Sequence, residues 1–227
     1  MAISPRTKPH HRRTRAAKAT RAHGIPRRGK PSRPGLNITG VSVLNPQLSG
    51  KRLELLKEMN PRLANVAVFF NPAEPNAKSY LHETRRAAAT MGMQVEAFEI
   101  KSPSDLDDAF QGAKRAGAKA VAVLTDYVTL WNRESLVALA AKHRIPTIYT
   151  ERLFIEAGGL ASYGASDREL HRCAAAYVDK ILKGTPPADI PVEQPTKFEL
   201  VINTSAAKSI DLQIPSALRL RADDVIE

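Results

Sequence analysis

The chain has 227 residues, 43% of them hydrophobic, enough to fill the core of one large or two small domains. Its net charge of +11 is local: eleven of the 34 Lys and Arg fall in residues 1–35, which contain no Asp or Glu, and the other 23 balance 23 acidic residues. The single Cys173 excludes an internal disulfide and fits no metal-ligand spacing, and no apolar run approaches the length of a membrane span.

Residues 1–35 are rich in Pro, Gly, Arg and His and poor in large apolar side chains. They cannot bury enough surface to offset their ordering entropy and read as a disordered basic tail. Such an arm can neutralise phosphates, but it has no aromatic residue for stacking and no DNA-binding motif follows, so nucleic acid is not an expected partner. Arg12-Arg13 leads into Thr14-Arg15-Ala16 rather than an apolar stretch, so no signal peptide is legible.

The ordered part is expected to begin near Pro34-Gly35-Leu36-Asn37. Ser49 can cap a helix with Leu53, Leu56 and Met59 on one face and Lys51, Arg52, Lys57 and Glu58 on the other, ended by Pro61. The run Asn65–Phe70 reads as a strand that stops at Asn71-Pro72. Asn76 or Ala77 opens a helix to Thr90, with Tyr80, Leu81, Thr84 and Ala88 inward and Gly92 as its stop. Residues 94–100 alternate as a strand. Ser104 and Asp107 then form a weak capping box for a helix burying Leu106, Ala109, Phe110 and Ala113.

Residues 119–124 are almost wholly apolar, as in a strand buried on both faces, and stop at Thr125-Asp126. A helix from about Trp131 to Lys142 turns Leu136, Leu139 and Ala140 inward, with Lys142, His143 and Arg144 at its negative end. Residues 146–149 and 160–163 read as strands, the first ending in Thr150-Glu151 and the second in Gly164-Ala165-Ser166. Ser166 and Glu169 have capping-box spacing for a helix with Leu170, Ala174, Tyr177, Val178 and Ile181 on one face, stopped by Gly184 and Pro186. A strand at 198–202 and a short helix at 204–210 follow.

Strand, polar loop and helix in alternation imply an α/β fold with a parallel sheet. Ligands of such sheets sit outside the carboxyl ends of the strands. Asn71, Asn76, Asp126, Tyr149, Thr150, Tyr163, Gly164 and Ser166 should therefore line one edge as ligand-binding candidates. Asp126 suits an ammonium, helix-start amides a carboxylate, and the tyrosines an apolar side chain. The bland alternative is that Asn, Asp, Ser and Thr are there as turn and capping residues.

Enzyme signals are poor. Gly112 and Gly117 have P-loop spacing, but Ala118 stands where Lys is required, and neither G-x-S-x-G nor G-x-G-x-x-G occurs. No catalytic residue, metal site or cofactor is expected. His82, His143 and His171 fall on helix surfaces, and Trp131 reads equally as a core or a cleft aromatic.

From Pro34 onward the chain resembles the substrate-binding proteins of a bacterial ABC-transporter family, including those linked to tryptophan and tyrosine uptake. The resemblance is carried by Pro34-Gly35-Leu36-Asn37-Ile38-Thr39-Gly40, Leu48-Ser49-Gly50-Lys51-Arg52-Leu53 and Val66-Ala67-Val68-Phe69-Phe70-Asn71-Pro72. It continues in Lys142-His143-Arg144-Ile145-Pro146, Gly158-Gly159-Leu160-Ala161-Ser162-Tyr163-Gly164 and Pro191-Val192-Glu193-Gln194-Pro195. It implies a type I periplasmic-binding-protein fold, in which two α/β lobes close over a small solute delivered to a permease and ATPase. The organisation implied is a tail at 1–35, a crossing segment at 36–45, a complete parallel-sheet lobe at 46–158, a remnant of the other lobe at 159–190, and crossing strands with the C-terminal segment at 191–227.

Relatives of this kind begin with a signal peptide and a further βαβ segment of roughly a hundred residues, about one small domain. Residues 1–33 stand in their place and read as translation from a non-native start before the coding sequence resumes near Arg33. The resemblance places the protein in the periplasm, while the chain as written carries no export signal. An incomplete first lobe should expose apolar surface and drive aggregation or dimerisation. Two other readings stay open: an effector module of a transcriptional regulator, and an α/β enzyme with Asp126 or Glu151 as general base.

Overall fold

The computed structural model describes residues 37–43 and 46–227, so the tail expected at 1–35 lies outside the described residues. Its elements follow the hydrophobic patterning closely. Leu53, Leu56 and Met59 recur at helical spacing and are buried by α1 (Ser49–Met59), which a short 3-10 turn precedes. The strand β1 (Asn65–Phe70) leads to α2 (Ala77–Thr90), which buries Thr84 and Ala88. Next come β2 (Gln94–Glu99), α3 (Asp105–Arg115) with all four expected residues buried, and the fully buried β3 (Ala120–Val123). The helix expected from about Trp131 to Lys142 is α5 (Arg133–His143); a separate short helix, α4 (Tyr127–Trp131), precedes it, the two meeting at Asn132.

The second half contains β4 (Thr147–Tyr149), the one-turn α6 (Leu153–Glu156), β5 (Ala161–Ala165) and α7 (Asp167–Leu182). The chain then forms β6 (Phe198–Asn203), α8 (Thr204–Ser209), α9 (Ser216–Arg221) and β7 (Asp224–Ile226). Neither α9 nor β7 was expected.

Among the described residues the strands form a single sheet in the order β2-β1-β3-β4-β5-β6-β7. Strands β1 to β5 are parallel to their neighbours; only β6 runs antiparallel, against β5, and β7 is parallel to β6. Alternate strand residues feed two cores, as the two-residue period requires. Val66, Val68, Ala122 and Ile148 pack with α1 and α2, while Ala67, Phe69, Val121 and Val123 pack with α3 and α5. The sheet does not break at 158/159, because β5 hydrogen-bonds directly to β4. The strand expected to end at residue 163 continues through Gly164 and Ala165. Val41 of the 36–45 segment bridges to Glu193, with Ser42 N–H donating to the Glu193 carbonyl at 2.8 Å.

Three expected caps are not made: Ser49, Ser104 and Ser166 form no side-chain capping bond. Ser49 is the first helical residue instead, and its hydroxyl is buried without a partner. At α3 the first helical residue, Asp105, instead ties down the preceding turn, its Oδ2 accepting from the amides of Lys101 and Ser102 at 2.8 and 2.9 Å. His143, expected on a solvated surface, is mostly covered: it stacks on Phe110 at 5.5 Å and its Nε2 lies 2.9 Å from Asp107. Lys142 joins the same carboxylate at 3.1 Å, so the basic end of α5 is tied to α3.

Candidate functional site

Because β1, β3, β4 and β5 are successive parallel neighbours, their carboxyl ends fall on one edge of the sheet. Asn71, Thr125-Asp126, Thr150-Glu151 and Ser166-Asp167 follow in that order along about 14 Å, three strand spacings.

Asp126 is the most informative member. It caps α4, its Oδ1 accepting from Val128 N at 2.6 Å and Thr129 N at 3.2 Å, while Thr129 Oγ1 accepts from Asp126 N at 3.0 Å. The capping explanation therefore accounts for Oδ1. It leaves Oδ2, which is buried without a hydrogen-bond partner, a costly state for a carboxylate oxygen. Next to it in the chain, the hydroxyl of Thr125 hydrogen-bonds with that of the buried Thr150, linking the ends of β3 and β4.

The other expected residues divide sharply. Asn71 Oδ1 accepts from Ala73 N at 2.9 Å, an ordinary Asx turn. Asn76 is exposed at the start of α2, whose first turn has no side-chain cap. Gly164 packs against the Thr150 carbonyl so closely that any Cβ would overlap it, so glycine is required there by packing. Ser166 is buried, and its amide donates to Lys197 O at 3.3 Å. Tyr149 does not wall a cleft. It is fully enclosed, stacked 4.6 Å from Phe154, because the last residue of β4 points into the α3–α5 core. Burial drives its phenol pKa up.

Arg52 is the residue that sequence reasoning misplaced. Expected on the outer face of α1, it is only 2% exposed, and its Nε donates to the Tyr163 carbonyl at 2.8 Å. That carbonyl lies just past the last β4–β5 pair, Tyr149↔Ser162. Burial lowers the guanidinium pKa to about 10, opposed by Tyr80, Tyr163 and Glu151. Burial also holds Glu151 above the usual carboxylate range, reinforced by Asp167 and countered by Arg52. Asp167 is raised as well, first by burial. The signal was available: positions 49, 52, 53, 56 and 59 form one helical stripe, and an arginine inside it must be buried. Beyond Asp167 a polar hollow of about 520 Å³ opens, bordered by Arg152, Glu199 and Asp224.

A parallel-sheet edge with a capped acid and a buried arginine fits several binding folds. The family model described as ABC transporter substrate binding protein matches residues 28–226. The chain belongs to this family. Its members are substrate-binding proteins, which act as binders and not as enzymes. This disfavours a general-base role for Asp126 or Glu151.

Among curated proteins, the tyrosine-binding protein of Clostridioides difficile (strain R20291) is 27% identical over 194 residues, 85% of this chain and 54% of the relative. A solved conserved domain protein from Vibrio cholerae is 28% identical with a TM-score of 0.78, covering 86% of this chain and 65% of that one. The ABC domain from Streptococcus pneumoniae, solved in complex with L-Trp, is 26% identical with a TM-score of 0.77, covering 87% and 68%. The fold is accordingly that of the type I periplasmic binding proteins. The chain spans about half the length of the curated relative it matches.

Proposed function

We propose that this protein is the solute-binding component of an ABC importer, capturing an amino acid reversibly at the strand-end edge. The observation that carries this reading is the buried, unpartnered Oδ2 of Asp126 on an edge shared by four parallel strands, in a chain of a substrate-binding family. Asp126 takes the ammonium, with Asn71, Thr150 and Ser166 lining the edge beside it and Tyr163 and Gly164 shaping its far wall. The uncapped first turn of α2 at Asn76 offers amide donors to the carboxylate. The names of two relatives, a tyrosine-binding protein and a domain crystallised with L-Trp, support an amino-acid ligand.

In this reading the edge faces a second lobe, and ligand stabilises the closed arrangement. The work is done outside the cytoplasm, with delivery to a membrane permease driven by its ATPase. A thermal-shift panel of the twenty amino acids and common sugars tests it. Ligand at a hundred times its Kd adds about 2.7 kcal/mol to stability. A shift with amino acids and none with sugars is expected; the reverse pattern contradicts the reading.

A further inference from the structure

The hollow of about 520 Å³ lies where β5 ends, α7 begins and β6 and β7 start. Six acidic and three basic residues border it, an excess of three negative charges. Most of the acids are matched. Arg152 bridges Glu156 and Asp224 at 3.0 and 2.6 Å, Asp223 accepts from Leu200 N at 2.8 Å, and Glu169 pairs with Arg172 at 2.8 Å. Asp167 and Glu199 are the exceptions: both are half-buried, and among the described residues neither carboxylate has a hydrogen bond or an ion pair. The bordering Arg168 and Lys197 stand out in solvent. Neither acts on Asp167, whose carboxyl is held above its ordinary range by burial first, with His171 opposing and Glu199 and Glu156 reinforcing. Ser166 points the same way. It is 1% exposed, borders the same hollow, and its hydroxyl makes no hydrogen bond among the described residues.

We propose that this hollow is a second binding site, for an aliphatic diamine whose ammonium groups pair with Asp167 and Glu199 while Ser166 Oγ accepts a further N–H. Buried carboxylates and a buried hydroxyl without partners are costly, and a ligand that satisfies them recovers that cost. An ammonium brings three donors and no acceptor, which suits carboxylate and hydroxyl oxygens. Two such groups offset two of the three excess charges. A bare metal ion suits the hollow poorly, because among the described residues no three acidic, His or Cys side chains converge for one. Asp126 does not border the hollow, so the site does not rest on the amino-acid reading above.

Calorimetric titration of the full chain at low salt tests the site, with 1,4-diaminobutane, butylamine, 1,4-butanediol and magnesium chloride as probes. The diamine should bind saturably and about tenfold more tightly than butylamine, the worth of one more charge-assisted contact. The uncharged diol should not bind. Asp167→Asn and Glu199→Gln keep each side chain's shape and remove one charge, so each should weaken the diamine about tenfold. Both positions are partly exposed, and the melting temperature confirms that each variant is folded. Glu83→Gln, an equal loss of charge on α2, should leave diamine binding unchanged. No binding of the diamine, or equal affinity for diamine and butylamine, would overturn the proposal. So would magnesium binding more tightly than the diamine, or equal losses from Glu83→Gln and Glu199→Gln. None of these results bears on amino-acid capture.

Discussion

Arg52 and Tyr163 are 111 residues apart in sequence, yet the Arg52 Nε donates to the Tyr163 carbonyl at 2.8 Å. This bond ties α1 to β5 where β4 has ended, so the far side of the candidate edge is braced by a buried cation. Removing the guanidinium leaves a covered carbonyl unsatisfied and opens a cavity. Arg52→Met should cost about 3 kcal/mol in a urea midpoint measurement. Arg52→Lys should recover only part, because an ammonium does not reproduce the planar fork. A loss below about 0.5 kcal/mol, usual for surface sites, would contradict this role.

Glu151 sets a pH dependence of definite sign. Burial and Asp167 raise its pKa above the ordinary 4.5, and Asp167 is raised above 3.8. Between the ordinary and raised values the native state binds more protons than the unfolded chain, so this contribution grows as pH falls from neutral into that window. Glu151→Gln should stabilise the protein at pH 7, and its advantage should shrink as the pH approaches 4.5. Asp107 acts in the opposite direction. His143, Gln111 and Lys142 lower its pKa to about 2, so its contribution is present above 3.8 and lost on further acidification. Denaturation midpoints of both proteins from pH 7 to 3 provide the check; a Glu151→Gln variant less stable at pH 7 refutes the sign.

On α7 the apolar stripe read from the sequence is largely uncovered. Only Tyr177 is buried, its hydroxyl donating to Pro191 O at 2.9 Å, while Val178, Ile181 and Leu182 are 55%, 37% and 82% exposed. Association of two copies through this stripe follows from the cost of leaving it wet. Sedimentation velocity should show concentration-dependent dimers, and Val178→Glu with Leu182→Glu should return the protein to monomer without lowering its melting temperature. A monomer at every concentration in the parent protein would be inconsistent with this.

The sheet was largely legible because its strands are apolar runs bounded by turn residues. Ala120 to Val123 read as buried on both faces and are so. Parallelism was legible in the intervening helices, and it alone brings Asn71, Asp126, Thr150 and Ser166 to one edge. The two C-terminal elements were not legible: α9 is charged and β7 has no fully buried residue, so each forms through tertiary pairing, β7 against β6. The serine caps failed because a hydroxyl at the right spacing does not ensure that the backbone turns to meet it. Tyr149 was misassigned because the position of a strand end does not reveal which face its last residue occupies. The short helix α4 was not expected at all, since the Asp126–Thr129 box that starts it went unread.

Asp126 is the centre of the proposed site, and Asp126→Asn is the decisive variant. Asparagine keeps an oxygen to cap α4 but removes the charge offered to an ammonium. Calorimetric titration with L-tyrosine, and with 3-(4-hydroxyphenyl)propanoate, which lacks the ammonium, isolates that contact. The parent protein should prefer tyrosine by about tenfold to a hundredfold, the worth of a charge-assisted bond, and Asp126→Asn should abolish the preference while melting as the parent does. If Asp126→Asn binds tyrosine as tightly as the parent protein, Asp126 is only a helix cap and the proposed site is wrong.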